Sequence, residues 1–110
     1  MIRLSTFGEM VRYNKELEIT LYRISQELVN NAIKHANSKQ IDIQLFAEKE
    51  RVCVQINDDG IGFDVNKMDK SKTGKGLINI RDRVTAFNGR FDILSEPGKG
   101  TETSIEFFIP

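Results

Sequence analysis

The sequence predicts an α/β (α+β) two-layer sandwich, in which a mixed sheet of about five strands is covered on one face by helices. Short runs that alternate apolar and polar residues predict strands, and two longer segments with apolar residues at helical spacing predict helices. The order is strand, helix, two strands, loop, helix, two strands. With 110 residues, the chain is expected to form one domain, 1–110.

The first strand and the first helix are predicted from the opening third of the chain. The run 2–7 alternates and predicts a short strand at a sheet edge. Asn14 is the predicted N-cap of a helix of about 22 residues that ends at Ala36, with Glu16 and Glu18 suited to its positive end. One apolar stripe should cover the sheet: Leu17, Leu21, Ile24, Leu28 and Ala32.

Polar residues follow one edge of this helix. Glu27 and Asn31 are four residues apart and stack on one face, and Lys34 lies close to the same line. Asn31, rather than Asn30, can reach the boundary of the interior. A solvated helix edge is the simpler interpretation. His35, the only histidine, is a C-terminal cation, a packed imidazole or a ligand, and one His with one Cys does not make a transition-metal site.

The next two strands are predicted at 41–45 and 52–56, antiparallel and joined by the polar turn 48–50. Asp58 continues the alternation of the second strand, so its carboxylate should point to the apolar face. A buried carboxylate needs a hydrogen-bond donor, and we predict that the ligand-free chain lacks one. Gly60 and Gly62 would let the backbone approach a ligand closely. The alternative is a strand that ends in a plain Asp-Gly turn.

The segment 65–75 has almost no apolar anchor, so we expect it to be mobile. It carries four lysines: Lys67, Lys70, Lys72 and Lys75. Gly76 is predicted to open the second helix, which Gly89 should end. Such a helix start would offer backbone N–H groups to an anion. Two closing strands, around residues 91–93 and 103–109, are predicted on either side of the turn 97–100.

Composition excludes several functions. Sixteen basic and sixteen acidic residues give no net charge, so there is no global electrostatic reason for binding to nucleic acid or to an anionic membrane. Cys53 is the only cysteine and cannot form an intramolecular disulfide. It should lie on the sheet face opposite Asp58, with no functional part. The absence of a leader or a long apolar run makes a reducing, cytoplasmic compartment the expectation.

Four motifs in series resemble one family. They read QELVNNAIKHA at 26–36, DDGIGF at 58–63, GKGLINI at 74–80 and GKGT at 98–101. They resemble the N, G1 and G2 boxes and the closing motif of the ATP-binding domain of sensor histidine kinases, within the GHKL group of gyrase B, MutL and a heat-shock chaperone. The segments 21–27 and 79–83 resemble the subfamily of nitrate sensors and the membrane-fluidity sensor. That subfamily has a short lid, which agrees with the absence from this sequence of the phenylalanine-bearing F box of other kinases.

The resemblance implies a GHKL-type fold with a mobile ATP lid, and ATP and Mg²⁺ as ligands. Asp58 would accept a hydrogen bond from the adenine amine, and Asn31 would hold Mg²⁺ through its side-chain oxygen. Lys34 and His35 would approach the phosphates or the ribose. Glu27 would orient a metal-bound water or accept a proton.

The glycine-rich motifs would complete the nucleotide site by the same resemblance. Gly74, Gly76 and Leu77 would supply backbone donors to phosphate, while Lys75 and the other lid lysines would offset its charge. Thr101 would place its hydroxyl beneath the adenine. Gly60 and Gly62 would border the nucleotide.

The implied activity is transfer of the ATP γ-phosphoryl to a histidine in a separate dimerisation helix domain that precedes residue 1 in the parent protein. A response regulator would act downstream, and the parent could carry a membrane anchor without membrane contact by this part. The domain alone should bind ATP but be a weak or inert autokinase, with His35 a poor acceptor. The alternatives are an anti-sigma-type serine kinase, a stand-alone ATPase clamp of the MutL kind, and a nucleotide-sensing module without chemistry.

Overall fold

A computed structural model describes residues 1–9, 11–34, 37–70 and 72–109 of the chain, apart from the side chain of Thr73. The described elements follow the predicted order. They are β1 (Ile2–Gly8), α1 (Lys15–Lys34), β2 (Ile41–Ala47), β3 (Arg51–Asp58), a 3₁₀ helix (Val65–Lys70), α2 (Lys72–Ala86), β4 (Arg90–Ser95) and β5 (Thr101–Phe108).

The five strands form one mixed sheet in the order β1-β2-β3-β5-β4. β1 pairs parallel to β2, whereas the other neighbouring pairs are antiparallel. The predicted mixed sheet is therefore confirmed, as is the prediction that the first strand lies at an edge. The turns at 48–50 and 97–100 also lie where the sequence placed them.

One hydrophobic cluster lies between the helices and one face of the sheet. The predicted stripe on α1 is confirmed, because Ile24, Leu28 and Ala32 are buried and Leu21 packs against them. From the sheet, the cluster takes the alternate residues of β3 and β5, among them Val52, Val54, Ile56, Ile105 and Phe107. The other sheet face carries mostly polar side chains, and Arg51 pairs there with Glu106 at 2.7 Å, although Phe7 also stacks on Phe46 on this face. This alternation decides which side chains can reach the site.

Asn14 caps α1, as the sequence predicted. Its Oδ1 atom accepts a hydrogen bond from the N–H of Glu16 at 2.8 Å. Glu18 lies one turn further on and accepts bonds from the guanidinium of Arg12 and from the N–H of Tyr13. The Arg12 bond is the main reason that the pKa of the Glu18 carboxyl lies below its usual value. The predicted helix end at Ala36 lies outside the described residues.

The segment after the Asp-Gly motif has more regular structure than predicted, whereas its predicted mobility stays a prediction. Val65–Lys70 forms a 3₁₀ helix, and Met68 is only 7% exposed within the core cluster. The prediction that this segment lacks a core anchor was therefore wrong. Buried Met68 and partly buried Val65 anchor the segment to the core cluster, and the flexible thioether side chain of methionine suits such a site.

The second helix begins and ends at other residues than predicted. It starts at Lys72, so Gly76 is not its first residue, and the N–H groups of Gly76 and Leu77 lie in the helical ladder. At the other end, Asn88 rather than Gly89 takes the left-handed conformation, with φ 58°. The N–H of Gly89 bonds to Val84 O at 2.9 Å, which closes a C-cap of the Schellman type. Gly89 is needed instead for packing, because a Cβ there would lie 2.7 Å from the Phe107 ring.

Candidate functional site

Asp58 ends β3 on the sheet face that packs against the helices. Its backbone lies opposite Ile41 on one side and Thr101 on the other. Its Oδ1 atom accepts a hydrogen bond from the N–H of Gly60 at 2.8 Å. The prediction that the chain supplies no donor was therefore wrong, because the Asp-Gly turn folds its own N–H back onto the carboxylate. Within the described part of the chain, Oδ2 has no donor.

A cavity of about 730 Å³ lies at this end of the sheet. Its lining includes the polar residues Asp58, Thr101 and Ser95 and the apolar side chains of Val65 and Ile93. Ligand sites of small molecules commonly have volumes of about 300–1,000 Å³, mostly apolar with a few polar groups. The predicted adenine acceptor and the predicted hydroxyl therefore share one cavity of suitable size.

Ser95 joins the loop 59–64 after β3 to the loop 96–100 between β4 and β5, and it was not among the predicted site residues. Its hydroxyl oxygen accepts the N–H of Phe63 at 2.9 Å and donates to Gly100 O at 3.0 Å. Thr101 Oγ1 lies 2.9 Å from the same oxygen. One signal could have revealed it, because Ser95 continues the alternation of Phe91 and Ile93 as a polar residue on the core-facing side of β4.

Gly62 and Gly100 let these two loops approach each other. Both have positive φ, 63° and 76°. A Cβ on Gly62 would lie 2.0 Å from Glu96 O, and one on Gly100 would lie 2.1 Å from Asp58 O. The close approach inferred for Gly62 is therefore an approach to the chain itself.

Asp59, the neighbour of Asp58, forms hydrogen bonds that hold two parts of the fold together. Its Oδ1 atom accepts the N–H groups of Lys39 and Gln40 at 2.9 and 3.0 Å. These residues precede β2, so Asp59 fastens the connection from α1 to the end of β3. The pKa of the Asp59 carboxyl lies below its usual value, chiefly because of the Gln40 N–H, and burial opposes this shift. The two adjacent aspartates thus have different surroundings.

The lowered pKa of Asp59 predicts a pH dependence of stability. A carboxyl whose pKa is lower in the folded state adds stability above its unfolded pKa, about 3.9, and loses it as the pH falls through the folded value. Asp59→Asn should therefore destabilise the chain at neutral pH, and the difference from the unmodified chain should shrink below about pH 3.9. Urea unfolding between pH 7 and pH 2.5 measures it. Asp69→Asn, at an exposed carboxylate without a bond partner in the described chain, is the control and should show no such trend. A constant Asp59→Asn difference across this range would contradict the assignment.

The edge of α1 carries a second group of predicted site residues, and the described ones do not line this cavity. Asn31 is half-buried, and its side-chain amide has no hydrogen-bond partner among the described residues. Glu27 is exposed and forms an ion pair with Arg83 of α2. Arg83 was not predicted as a partner of Glu27, because the two residues are 56 positions apart in the sequence. Asn31 is therefore the group at this edge with an open oxygen, whereas Glu27 is engaged.

Most of the remaining predicted residues lie at the end of α1 and in the first turns of α2. Lys34 and Lys75 are exposed, and Leu77 is buried in the core cluster. A Cβ on Gly74 would lie 1.8 Å from Met68 O, so glycine is needed there for the contact with the 3₁₀ helix. A Cβ on Gly76 would meet nothing within 4 Å. His35 lies outside the described residues, and its role stays a prediction.

The family model for histidine kinase-, DNA gyrase B- and HSP90-like ATPases matches residues 16–110. The chain belongs to this family, which confirms the family predicted from the four motifs and agrees with ATP as the ligand. Neither α1 nor α2, as far as the structure describes them, has the length and apolar character of a membrane-spanning helix.

Similar proteins are sensor kinases. Sensor histidine kinase ComP of Bacillus subtilis is 35% identical over 105 residues, covering 96% of this chain and 14% of that protein. Sensor histidine kinase YdfH of the same organism is 43% identical over 90 residues, 81% of this chain and 22% of that protein. Sensor protein VraS of Staphylococcus saprophyticus is 34% identical, covering 89% of this chain and 28% of that protein. The chain thus spans less than a third of the length of these relatives.

The fold is also found in a solved structure. The histidine kinase domain of the blue-light activated histidine kinase from Erythrobacter litoralis EL346 superposes with a TM-score of 0.69 at 21% identity, covering 96% of this chain and 54% of that chain. At this identity the likeness concerns the fold. It confirms the predicted arrangement of helices on one face of a mixed sheet.

Proposed function

We propose that this chain binds Mg-ATP and serves as the catalytic domain of a sensor histidine kinase, transferring the γ-phosphoryl group to a histidine of a separate helical domain. The observation that carries the proposal is the Asp58 carboxylate. One oxygen is held by Gly60, and the other is open in a cavity that Thr101 also lines. The relatives, whose names describe sensor kinases, support the choice of reaction.

This geometry supports the proposed adenine end of the site. The Gly60 N–H fixes the rotation of the Asp58 carboxylate, so Oδ2 has a defined position before a ligand binds. A carboxylate oxygen accepts a hydrogen bond from an exocyclic amine. The apolar side chains of Val65 and Ile93 would contact the purine ring.

The metal end of the site fits Mg²⁺ through Asn31. Its half-buried amide oxygen, unpaired among the described residues, is a ligand of the type that Mg²⁺ accepts, and phosphate oxygens and water complete the set. No group of three or more His, Cys, Asp and Glu residues that could hold a metal occurs in the described ranges, so the phosphates would have to contribute. When bound, Mg²⁺ would neutralise charge on the triphosphate. Glu27 could act as proton acceptor only when its pair with Arg83 opens.

In the transfer, the bond between the γ-phosphorus and the bridging oxygen breaks, ADP leaves, and a bond to an imidazole nitrogen of the acceptor forms. The domain contributes position and charge rather than covalent chemistry. Lys34 and Lys75 would offset the phosphate charge from the two sides of the cleft. The response regulator, and a cytoplasmic location for this part of the parent, belong to the same proposal.

A reconstitution with two acceptors tests the function. The chain, γ-labelled ATP and Mg²⁺ are combined with a dimeric helical domain that carries the acceptor histidine of the parent, or with a serine-bearing protein substrate. We expect acid-labile, alkali-stable label on the histidine domain only. Label on serine would identify a serine kinase, and calorimetry that shows no Mg-ATP binding would overturn the proposal entirely.

The chain alone provides the control. We expect ATP binding without stable phosphorylation of the chain, because the predicted place of His35 is beside the nucleotide rather than in a substrate helix. Stable label on His35 would contradict this part of the proposal. Steady hydrolysis of ATP by the chain alone would favour an ATPase clamp instead.

A further inference from the structure

We propose that Ser95 sets the base specificity of the nucleotide site by holding the Thr101 hydroxyl as a hydrogen-bond acceptor. The inference rests on the proposed nucleotide site and concerns which purine the site selects. Ser95 is half-buried at the end of β4, beside both loops that form the cavity.

The protons around Ser95 can be assigned from its neighbours. A serine hydroxyl has one proton to donate and two lone pairs to accept. Gly100 O, 3.0 Å away, can only accept, so the Ser95 proton is used there. The Phe63 N–H, 2.9 Å away, can only donate. In the remaining contact of 2.9 Å, Thr101 must therefore be the donor and Ser95 the acceptor.

Because the Thr101 proton is used in the bond to Ser95, the Thr101 hydroxyl can only accept hydrogen bonds from a ligand in the cavity. Asp58 and Thr101 face each other on neighbouring antiparallel strands, and the Cβ atoms of such pairs lie about 5 Å apart. Asp58 Oδ2 is also an acceptor. Two acceptors side by side match an exocyclic amino group, which has two N–H donors, and they repel the oxygen of a 6-oxo purine.

The two loops are also joined by a contact that does not involve Ser95. The N–H of Gly98 bonds to Ile61 O at 2.6 Å, so the two loops are joined independently of Ser95. Replacement of the hydroxyl should therefore leave the loops together while it frees Thr101 to rotate and to donate. Ser95 acts through Thr101 and is a positioning residue.

The test compares ADP with inosine diphosphate, in which an oxo group replaces the 6-amino group. Calorimetry in Mg²⁺ gives the affinity ratio for the unmodified chain, which should favour ADP. Ser95→Ala should narrow this ratio by about two- to tenfold, the value of one hydrogen bond. Ser95→Thr keeps a hydroxyl and should restore the ratio. Ser104→Ala, at a half-buried serine on the opposite sheet face, is the matched control and should leave the ratio unchanged.

A double-variant comparison separates specificity from a general structural effect. Thr101→Val removes the hydroxyl but keeps Ser95 and its bonds to Phe63 and Gly100, and it should narrow the ratio by the same factor. In the Thr101→Val background, Ser95→Ala should cause no further change in the ratio of the two affinities. Equal losses of both affinities in Ser95→Ala, or the same further narrowing in the Thr101→Val background, would overturn the inference. Thr101→Val alone decides the question if Ser95→Ala does not fold. Absence of ADP binding by the unmodified chain would overturn the proposed function, and the inference with it.

Discussion

Asp58→Asn is expected to weaken ATP binding by about 10- to 100-fold, the range for loss of a hydrogen bond to a charged group. The amide oxygen can keep the bond from Gly60 N–H, so the amide nitrogen would take the place of Oδ2. That nitrogen donates and would meet the donating amine of adenine. The 6-oxo group of inosine should instead be tolerated better, so the variant should shift preference towards inosine triphosphate. Calorimetry with both nucleotides measures the shift.

Asp59→Asn is a matched control for this variant in the nucleotide assay. Asp59 bonds to Lys39 and Gln40, away from the open oxygen of Asp58, so its replacement should affect stability more than base preference. If Asp58→Asn bound both nucleotides as the unmodified chain does, the adenine contact would lie elsewhere. A thermal melt of each variant shows whether it is folded.

Asn31→Ala should abolish phosphoryl transfer that depends on Mg²⁺ while leaving metal-free ADP binding largely intact. Asn31 is the proposed oxygen ligand on α1. Loss of a second-shell group of a metal site already costs about 10- to 100-fold in affinity or activity, so loss of a direct ligand should cost at least the upper end of that range. The measurements are ADP affinity with and without Mg²⁺, and transfer to the helical acceptor domain.

Asn30→Ala is the control next to it in sequence. Asn30 is exposed and points away from the interior, so its removal should change neither quantity. Equal losses of ADP affinity with and without Mg²⁺ in Asn31→Ala would contradict a metal-binding role. They would indicate instead that Asn31 contacts the nucleotide directly or supports the fold of α1.

Local periodicity predicted most of the secondary structure. The alternation in β3 and the apolar stripe of α1 led to the correct faces, because side-chain direction repeats every two residues in a strand and about every 3.6 in a helix. The same alternation put Asp58 on the core-facing side and Cys53 on the other. The N-cap at Asn14 was also predictable, because its partner lies two residues away.

The segment 65–75 and the start of α2 were predicted less well, because their structure depends on tertiary packing. Four lysines and only two apolar residues suggested that the segment could not pack, yet Met68 is buried in the core and Val65 packs against it. Glycines suggested a helix start at Gly76, but α2 extends back to Lys72, since packing against the 3₁₀ helix can offset the low helix propensity of Gly74 and Gly76. Composition alone does not reveal such compensation.

By itself, the sequence determined the order of the elements, the face that each side chain takes and the motifs that mark the family. Each depends on residues close together in the chain. Only the tertiary structure decided that Gly60 holds one oxygen of Asp58, that Ser95 joins Phe63 to Thr101, and that Arg83 engages Glu27. The last two bring together groups 32 and 56 residues apart, and such pairs depend on the path of the loops and the packing of the helices rather than on any local pattern.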